Sequence, residues 1–84
     1  MYYVYIVQCA DSTLYTGIST ELERRIKEHN GSTKGAKYTR VRRPVELVYS
    51  ESHPDRSAAS KREYEIKKKM SRVEKLEMIK GFEG

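Results

Sequence analysis

The sequence predicts an α/β chain of the α+β type. It is a small three-stranded antiparallel sheet flanked by helices, in the order β-β-α-β-α-α. Three observations carry this expectation. A β-branched and aromatic run opens the chain, and a polar turn separates it from a second such run. Capping signals then open helical patterns at three places. Finally, 84 residues make one domain, 1–84, with a single site built on a single core.

The elements follow in order. Residues 2–9 (YYVYIVQC) predict the first strand, since such side chains suit a pleated, buried surface. Ala10-Asp11-Ser12-Thr13 reads as a polar turn, and Leu14 to Ser19 as the second strand of a hairpin. Thr20 with Glu23 forms a capping box that opens a helix through about Asn30, which Gly31 ends. Residues 31–43 read as a basic loop. Pro44 leads into a third strand, Val45 to Ser50, in which Val45, Leu47 and Tyr49 alternate against Glu46 and Ser50. His53-Pro54-Asp55 is a turn, and Asp55 or Ser57 caps a second helix through about Met70. Ser71 with Glu74 is a second capping box, opening a last helix that ends at Gly81. In that helix Val73, Leu76, Ile79 and Phe82 read as cover for the core.

Composition excludes several function classes. No apolar run approaches the roughly 20 residues of a membrane span. The first residues lack the basic region and long apolar stretch of a signal peptide. One cysteine, Cys9, makes no internal disulfide, and two histidines show no zinc-ligand spacing. The expected compartment is the cytoplasm, with no membrane partner and a monomer assumed. Net charge is +5, and its placement is uneven. Residues 1–33 carry three basic and four acidic residues, and residues 44–84 carry nine and eight. Residues 34–43 carry Lys34, Lys37, Arg40, Arg42 and Arg43 with no acid. With Tyr38 among them, this segment reads either as a solvated loop or as one that tracks a phosphate backbone and stacks a base.

Helical spacing isolates further candidates. In the second helix, Glu63 falls on the stripe of Ala59, Ile66 and Met70. A carboxylate there is either a core-edge salt bridge to an arginine or a metal-binding or acid–base group. In the first helix, Arg25 and His29 stack one turn apart beside the Leu22 and Ile26 stripe. They suit phosphate binding and proton shuttling, or else a pairing with a nearby acid and an ordinary helix end. Tyr5 and Tyr15 are strand tyrosines, a type usually used for packing. Gly17, two residues beyond Tyr15, marks a close approach by a ligand or by backbone.

Taken together and in order, these residues resemble the GIY-YIG nuclease family. Val4-Tyr5-Ile6 resembles the GIY element, and Tyr15-Thr16-Gly17 resembles the YIG element. Arg25, His29 and Glu63 match the family's arginine, histidine and single glutamate. The blocks His29-Asn30, Gly35 to Tyr49 and Arg62 to Lys68 are similar to the small stand-alone UPF0213 group of bacteria. The middle block is also similar to the nuclease subunit of eukaryotic structure-specific endonucleases. Two positions depart from the pattern: Tyr3 stands in place of glycine, and Thr16 replaces the middle residue of YIG.

The resemblance implies a GIY-YIG fold and a divalent-metal-dependent endonuclease hydrolysing DNA, with branched or flapped forms and repair or processing in view. Glu63 would hold one Mg²⁺ or Mn²⁺ ion, and Arg25 would stabilise charge at phosphorus. Tyr5 would be the candidate general base, with Tyr15 and His29 positioning water or phosphate, and either of those two could exchange roles with it. That role requires neighbouring cations to lower a tyrosine pKa from near 10. Lys34, Lys37, Tyr38, Arg40, Arg42 and Arg43 would contact the nucleic acid. A different class of reading is a nucleic-acid-binding module with little turnover. A third, an interaction module, needs an exposed apolar patch.

A structural demand follows. A regular four-residue turn, Ala10 to Thr13, would set Gln8 opposite Tyr15 and point Tyr5 away from it. A shared site needs an odd-length loop or a bulge.

Overall fold

The computed structural model describes residues 1–31 and 34–83. Residues 32 and 33 of the expected basic loop lie outside the described residues. The chain runs β1 (Tyr2–Gln8), β2 (Leu14–Ser19), α1 (Leu22–Gly31), the single turn α2 (Lys37–Arg40), β3 (Glu46–His53) and α3 (Arg56–Tyr64). A π-helical turn (Glu65–Lys69) and α4 (Arg72–Glu83) complete it. The strands form one antiparallel sheet in the order β2-β1-β3. The expected α+β class and element order hold, with a helical turn added inside the basic loop.

β1 is the central strand, and both of its faces are covered. Val4 and Ile6 pack with Val48, Ala59, Ile66 and Ile79, the last three from the helices that follow β3. Tyr5 and Val7 pack on the other side with Cys9 and Val45, and against Leu22 and Ile26 of α1. A strand buried on two faces reads as a continuous apolar run rather than an alternation. Full burial of each aliphatic side chain here contributes about 1.5–3 kcal/mol.

The hairpin connection is one residue longer than the turn expected. It spans five residues, 9–13, with Cys9 N donating to Thr13 O at 2.8 Å and Ser12 N donating to Cys9 O at 2.9 Å. Ser12 takes a φ of 70°, which closes the loop. The odd count sets Tyr15 opposite Val7 and Gly17 opposite Tyr5. Tyr5 and Tyr15 therefore share a face, because side chains two residues apart on paired strands point the same way.

A bulge in β3 breaks the expected alternation there. Tyr49 opposes Ile6 and Leu47 opposes Val7, which leaves Val48 as the extra residue. Leu47 joins the core under α1, whereas Val48 and Tyr49 both face the other core.

Helix boundaries differ in detail. α1 starts at Leu22, with Glu21 O accepting from Arg25 N, and the Ser19 hydroxyl accepts from Glu21 N. Gly31 is the last residue of α1 rather than the residue beyond it. Asp55 caps α3 by accepting from Ala58 N at 2.8 Å. The Ser71–Glu74 box forms in both directions, at 2.9 and 3.2 Å. α4 continues past Gly81 to Glu83, and that glycine has open space around it. The expected core cover by α4 is corrected: Ile79 is buried, but Val73, Leu76 and Phe82 are exposed. The helix packs through Met78 and Ile79, a turn or more beyond Val73.

Gly17 is the tightest point of the sheet. A Cβ there would meet the Tyr5 hydroxyl at 2.6 Å and its Cζ at 2.7 Å. The close approach at this glycine is corrected: a side-chain ring makes it, not a ligand or backbone, because Tyr5 lies on the paired strand directly opposite. Gly17→Ala should destabilise the fold by about 1–3 kcal/mol, since Tyr5 is itself enclosed and must shift. Urea denaturation checks this, and an unchanged midpoint would mean the ring relaxes freely.

Candidate active site

The site is built around the Tyr5 hydroxyl. Tyr5 is 1% exposed, and its hydroxyl lies 2.8 Å from His29 Nε2. His29, on the last turns of α1, is fully buried. Its other ring nitrogen, Nδ1, lies 2.8 Å from the hydroxyl of Thr39 on α2. Thr39 is fully buried too, and its hydroxyl donates to Ala36 O at 2.9 Å. Among the described residues no buried side-chain nitrogen or oxygen lacks a partner. His29 is thus an internal residue, not a solvated helix end.

Two glycines allow this closeness. Gly17 admits the Tyr5 ring, as above. Gly35 lies where a Cβ would meet Glu28 O at 2.6 Å and His29 Cα at 2.9 Å. Only a residue without a side chain lets the basic segment lie against the end of α1. Asn30 then pins the far end of that segment, accepting from Val45 N at 2.6 Å and donating to Val45 O at 3.0 Å.

Around Tyr5 stand the other expected residues. Arg25 and Glu63 both act electrostatically on its hydroxyl, as does Tyr15. Arg25 also donates to Glu28 at 3.0 Å and to Lys34 O at 2.8 Å, so it pairs with a neighbouring acid while facing Tyr5. The Tyr15 ring meets the His29 ring edge-on, with centroids 5.4 Å apart. Among the described residues, the ion-pair partner of Glu63 is a lysine. Its carboxylate pairs with Lys67 at 3.3 Å, and its side chain is 25% exposed. The same Lys67 ammonium lies 5.6 Å from the Tyr15 ring centroid.

Burial governs the electrostatics. It pushes the Tyr5 hydroxyl up to about 12, outweighing the neighbouring Arg25 guanidinium, which lowers it. A general base at Tyr5 would need the opposite shift. Burial, followed by the charge of Arg25, lowers His29 from 6.5 to about 4, so its imidazole is neutral near pH 7. Tyr5 and His29 therefore form a neutral, enclosed pair, whereas Tyr15 is only partly buried.

The basic segment divides by role. Lys34, Lys37 and Arg40 are exposed. Arg42 donates to Asp11 at 3.1 Å and to Tyr38 O at 2.8 Å, and its guanidinium lies 4.0 Å over the Tyr38 ring. Tyr38 stacks on Tyr15, with centroids 5.9 Å apart. Arg43 donates to His29 O and Glu28 O, capping the end of α1. Lys67, Tyr15, Tyr38 and Arg42 thus form a continuous row of cation, ring, ring and cation.

Three residues of this arrangement were not singled out by sequence reasoning. Thr39 is an uncharged residue in a run marked by charge, and nothing in its spacing signals burial. Lys67 sits four residues after Glu63, a spacing that does signal an ion pair. Gly35 was visible only as part of a loop.

The donor set bears on a metal ion. Among the described residues no group of three or more His, Cys, Asp or Glu side chains converges. One half-buried carboxylate does not make a zinc cage. It fits Mg²⁺ or Mn²⁺, which take one or two carboxylates and fill the remaining positions with water and phosphate oxygens.

Because His29 stays neutral in the fold until about pH 4, the unfolded chain binds a proton first, near 6.5. Stability should therefore fall as pH drops from 6.5 towards 4. In urea titrations across this window, His29→Gln should flatten the dependence. Equal slopes in both proteins would contradict a buried neutral His29.

Known proteins resemble this chain over most of its length. A family model described as the GIY-YIG catalytic domain matches residues 1–77. A UPF0213 protein of Desulfotalea psychrophila is 62% identical over 82 residues, covering 98% of this chain and 74% of the relative. One from Staphylococcus haemolyticus is 58% identical over 78 residues, covering 93% of each. The solution NMR structure of a UPF0213 protein from Bacillus halodurans matches with a TM-score of 0.59 and 46% identity, over 95% of this chain and 84% of that one. A protein of E. faecalis, also solved by NMR, matches with a TM-score of 0.63 and 40% identity, over 98% and 85%. The catalytic domain that the family model describes is that of endonucleases, which act on nucleic acid and generally depend on a divalent metal ion. With the match covering most of its length, the chain belongs to the GIY-YIG nuclease family.

Proposed function

We propose that the protein is a divalent-metal-dependent endonuclease that hydrolyses DNA phosphodiester bonds, on branched or flapped forms. The observation that carries this is the grouping of Arg25, Tyr15 and Glu63 about the Tyr5–His29 pair: the Tyr15 ring meets His29 and, through Lys67, the Glu63 carboxylate, and Arg25 lies one turn before His29 on α1. A cation, a phenol and a carboxylate drawn from three different elements meet beside a basic segment. Such a set can hold a phosphate, orient water and bind a divalent ion.

In this reading Glu63 holds one Mg²⁺ or Mn²⁺ ion. Bound there, the ion supplies charge neutralisation at the phosphate and the leaving oxygen. Arg25 binds a non-bridging oxygen, where its fixed charge counts most as negative charge builds. Tyr15, partly exposed, orients the attacking water and is the candidate base. Tyr5, enclosed and protonated, holds His29 in place rather than meeting water itself. Lys37 and Arg40 are exposed and meet the phosphate backbone.

A second reading, a binding module with little turnover, is favoured by one observation: Lys67 already neutralises Glu63. Cleavage assays over single-stranded, duplex, flap and branched DNA with Mg²⁺ or Mn²⁺ separate the two. Arg25→Ala and Glu63→Ala should each lower the rate by about 10²-fold or more. Retained binding with no cleavage by the wild type would favour the module. Equal cleavage by all three proteins would indicate a contaminating nuclease.

Salt dependence tests the basic segment. Lys37→Ala and Arg40→Ala should each reduce the slope of log K against log salt by about 0.9, on all sequences alike. Arg43→Ala should instead lower stability, because it leaves the carbonyls at the end of α1 without their cap.

A further inference from the structure

The proposed reaction gives roles to Arg25, Tyr15 and Glu63, but none to Thr39. That residue is fully buried, yet its hydroxyl faces His29. A threonine hydroxyl has a single proton to donate. Here the proton goes to Ala36 O at 2.9 Å. Towards His29 Nδ1, 2.8 Å away, the oxygen is then left to accept. A neutral imidazole has a single N–H, so a proton on Nδ1 leaves Nε2 with only a lone pair. Nε2 must then receive the Tyr5 hydroxyl proton across 2.8 Å. The Tyr5 oxygen, its own proton committed, presents its remaining lone pairs to the positive charge of Arg25, which acts on it electrostatically.

Each link has one donor and one acceptor, so the direction of the last link sets all the others. The competing donor to Nδ1 is Ala36 N, at 3.4 Å. At that length a hydrogen bond keeps little of its strength. Gly35 holds the acceptor end in place, since its backbone lies directly against Glu28 and His29.

We infer that Thr39 is a positioning residue. By accepting from His29 Nδ1, it sets the direction of a hydrogen-bond chain from Tyr5 through His29 to Ala36. The chain fixes the Tyr5 oxygen towards the charge of Arg25, which hydrogen bonds to Glu28 and Lys34 hold, and so keeps the guanidinium directed at the phosphate. That final consequence rests on the hydrolase reading above; the direction of the chain does not.

Two measurements test this. The first is ¹⁵N NMR of the imidazole of His29 at neutral pH, which distinguishes Nδ1–H from Nε2–H. The wild type and Thr39→Ser should show Nδ1–H, and Thr39→Val should lose that preference. The second is cleavage kinetics of the same proteins. Thr39→Val should lower kcat on the order of tenfold, the effect of about one hydrogen bond, with KM little changed and Thr39→Ser restoring the rate. An Nε2–H wild type, or a Thr39→Val protein with unaltered tautomer and rate, would overturn the inference. Should Thr39→Val fail to fold, the tautomers of the wild type and Thr39→Ser still decide it. Absence of cleavage by the wild type would sink the hydrolase reading alone.

Discussion

The buried hydrogen bond between the Tyr5 hydroxyl and His29 is the interaction on which the rest of the site depends. It ties the central strand to the end of α1 in a place with no water to compensate its loss. Everything near it is arranged to permit it. Gly17 makes room for the Tyr5 ring, the five-residue connection sets the register, and Thr39 satisfies the other side of the imidazole. Burial raises the tyrosine pKa and lowers that of the histidine, so the bond joins two neutral groups. A neutral pair in an enclosed place is a rigid support, against which the charges of Arg25 and Glu63 can be held.

The helix carrying Glu63 shows a second device. Its C-terminal end widens into a π-helical turn, with Met70 N donating to Glu65 O. Such turns insert a residue and change the direction in which side chains leave a helix, and they concentrate at functional sites. Here the turn carries Lys67, whose ammonium meets both Glu63 and the Tyr15 ring. Lys67 thereby stands beside the carboxylate that the proposed metal ion would use. On the other side of the tyrosine rings, Arg42 balances it with a second cation.

The five elements of the family pattern could be found in the sequence because each sits on a regular element with known spacing. Arg25 and His29 are one helical turn apart, and Glu63 shares a stripe with Ala59 and Ile66. The uses of the basic segment could not be found that way. Its five charges look alike in sequence, yet Arg43 caps a helix and Arg42 reaches Asp11, while Lys37 and Arg40 lie on the surface. Those assignments depend on which carbonyls and carboxylates folding brings close, over separations of 14 residues for Arg43 and 31 for Arg42. The exposure of Val73 and Leu76 was hidden for the same reason. Helical spacing says which residues share a face, but not how far along that face the contact with the sheet extends.

By itself, the sequence determined the α+β class, the order of strands and helices, the cap at Ser71, the choice of Asp55 or Ser57 to open α3, and the residues worth placing in a site. These follow from local rules: side-chain shape, hydrogen-bonding groups at helix ends, and periodicity. The tertiary structure alone decided whether those residues meet. One additional residue in the hairpin connection puts Tyr5 and Tyr15 on one face instead of two, because the side-chain period of a strand is two. It also decided which groups are charged. Burial shifts Tyr5 and His29 in opposite directions, and burial is a property of the packed core that no local pattern contains.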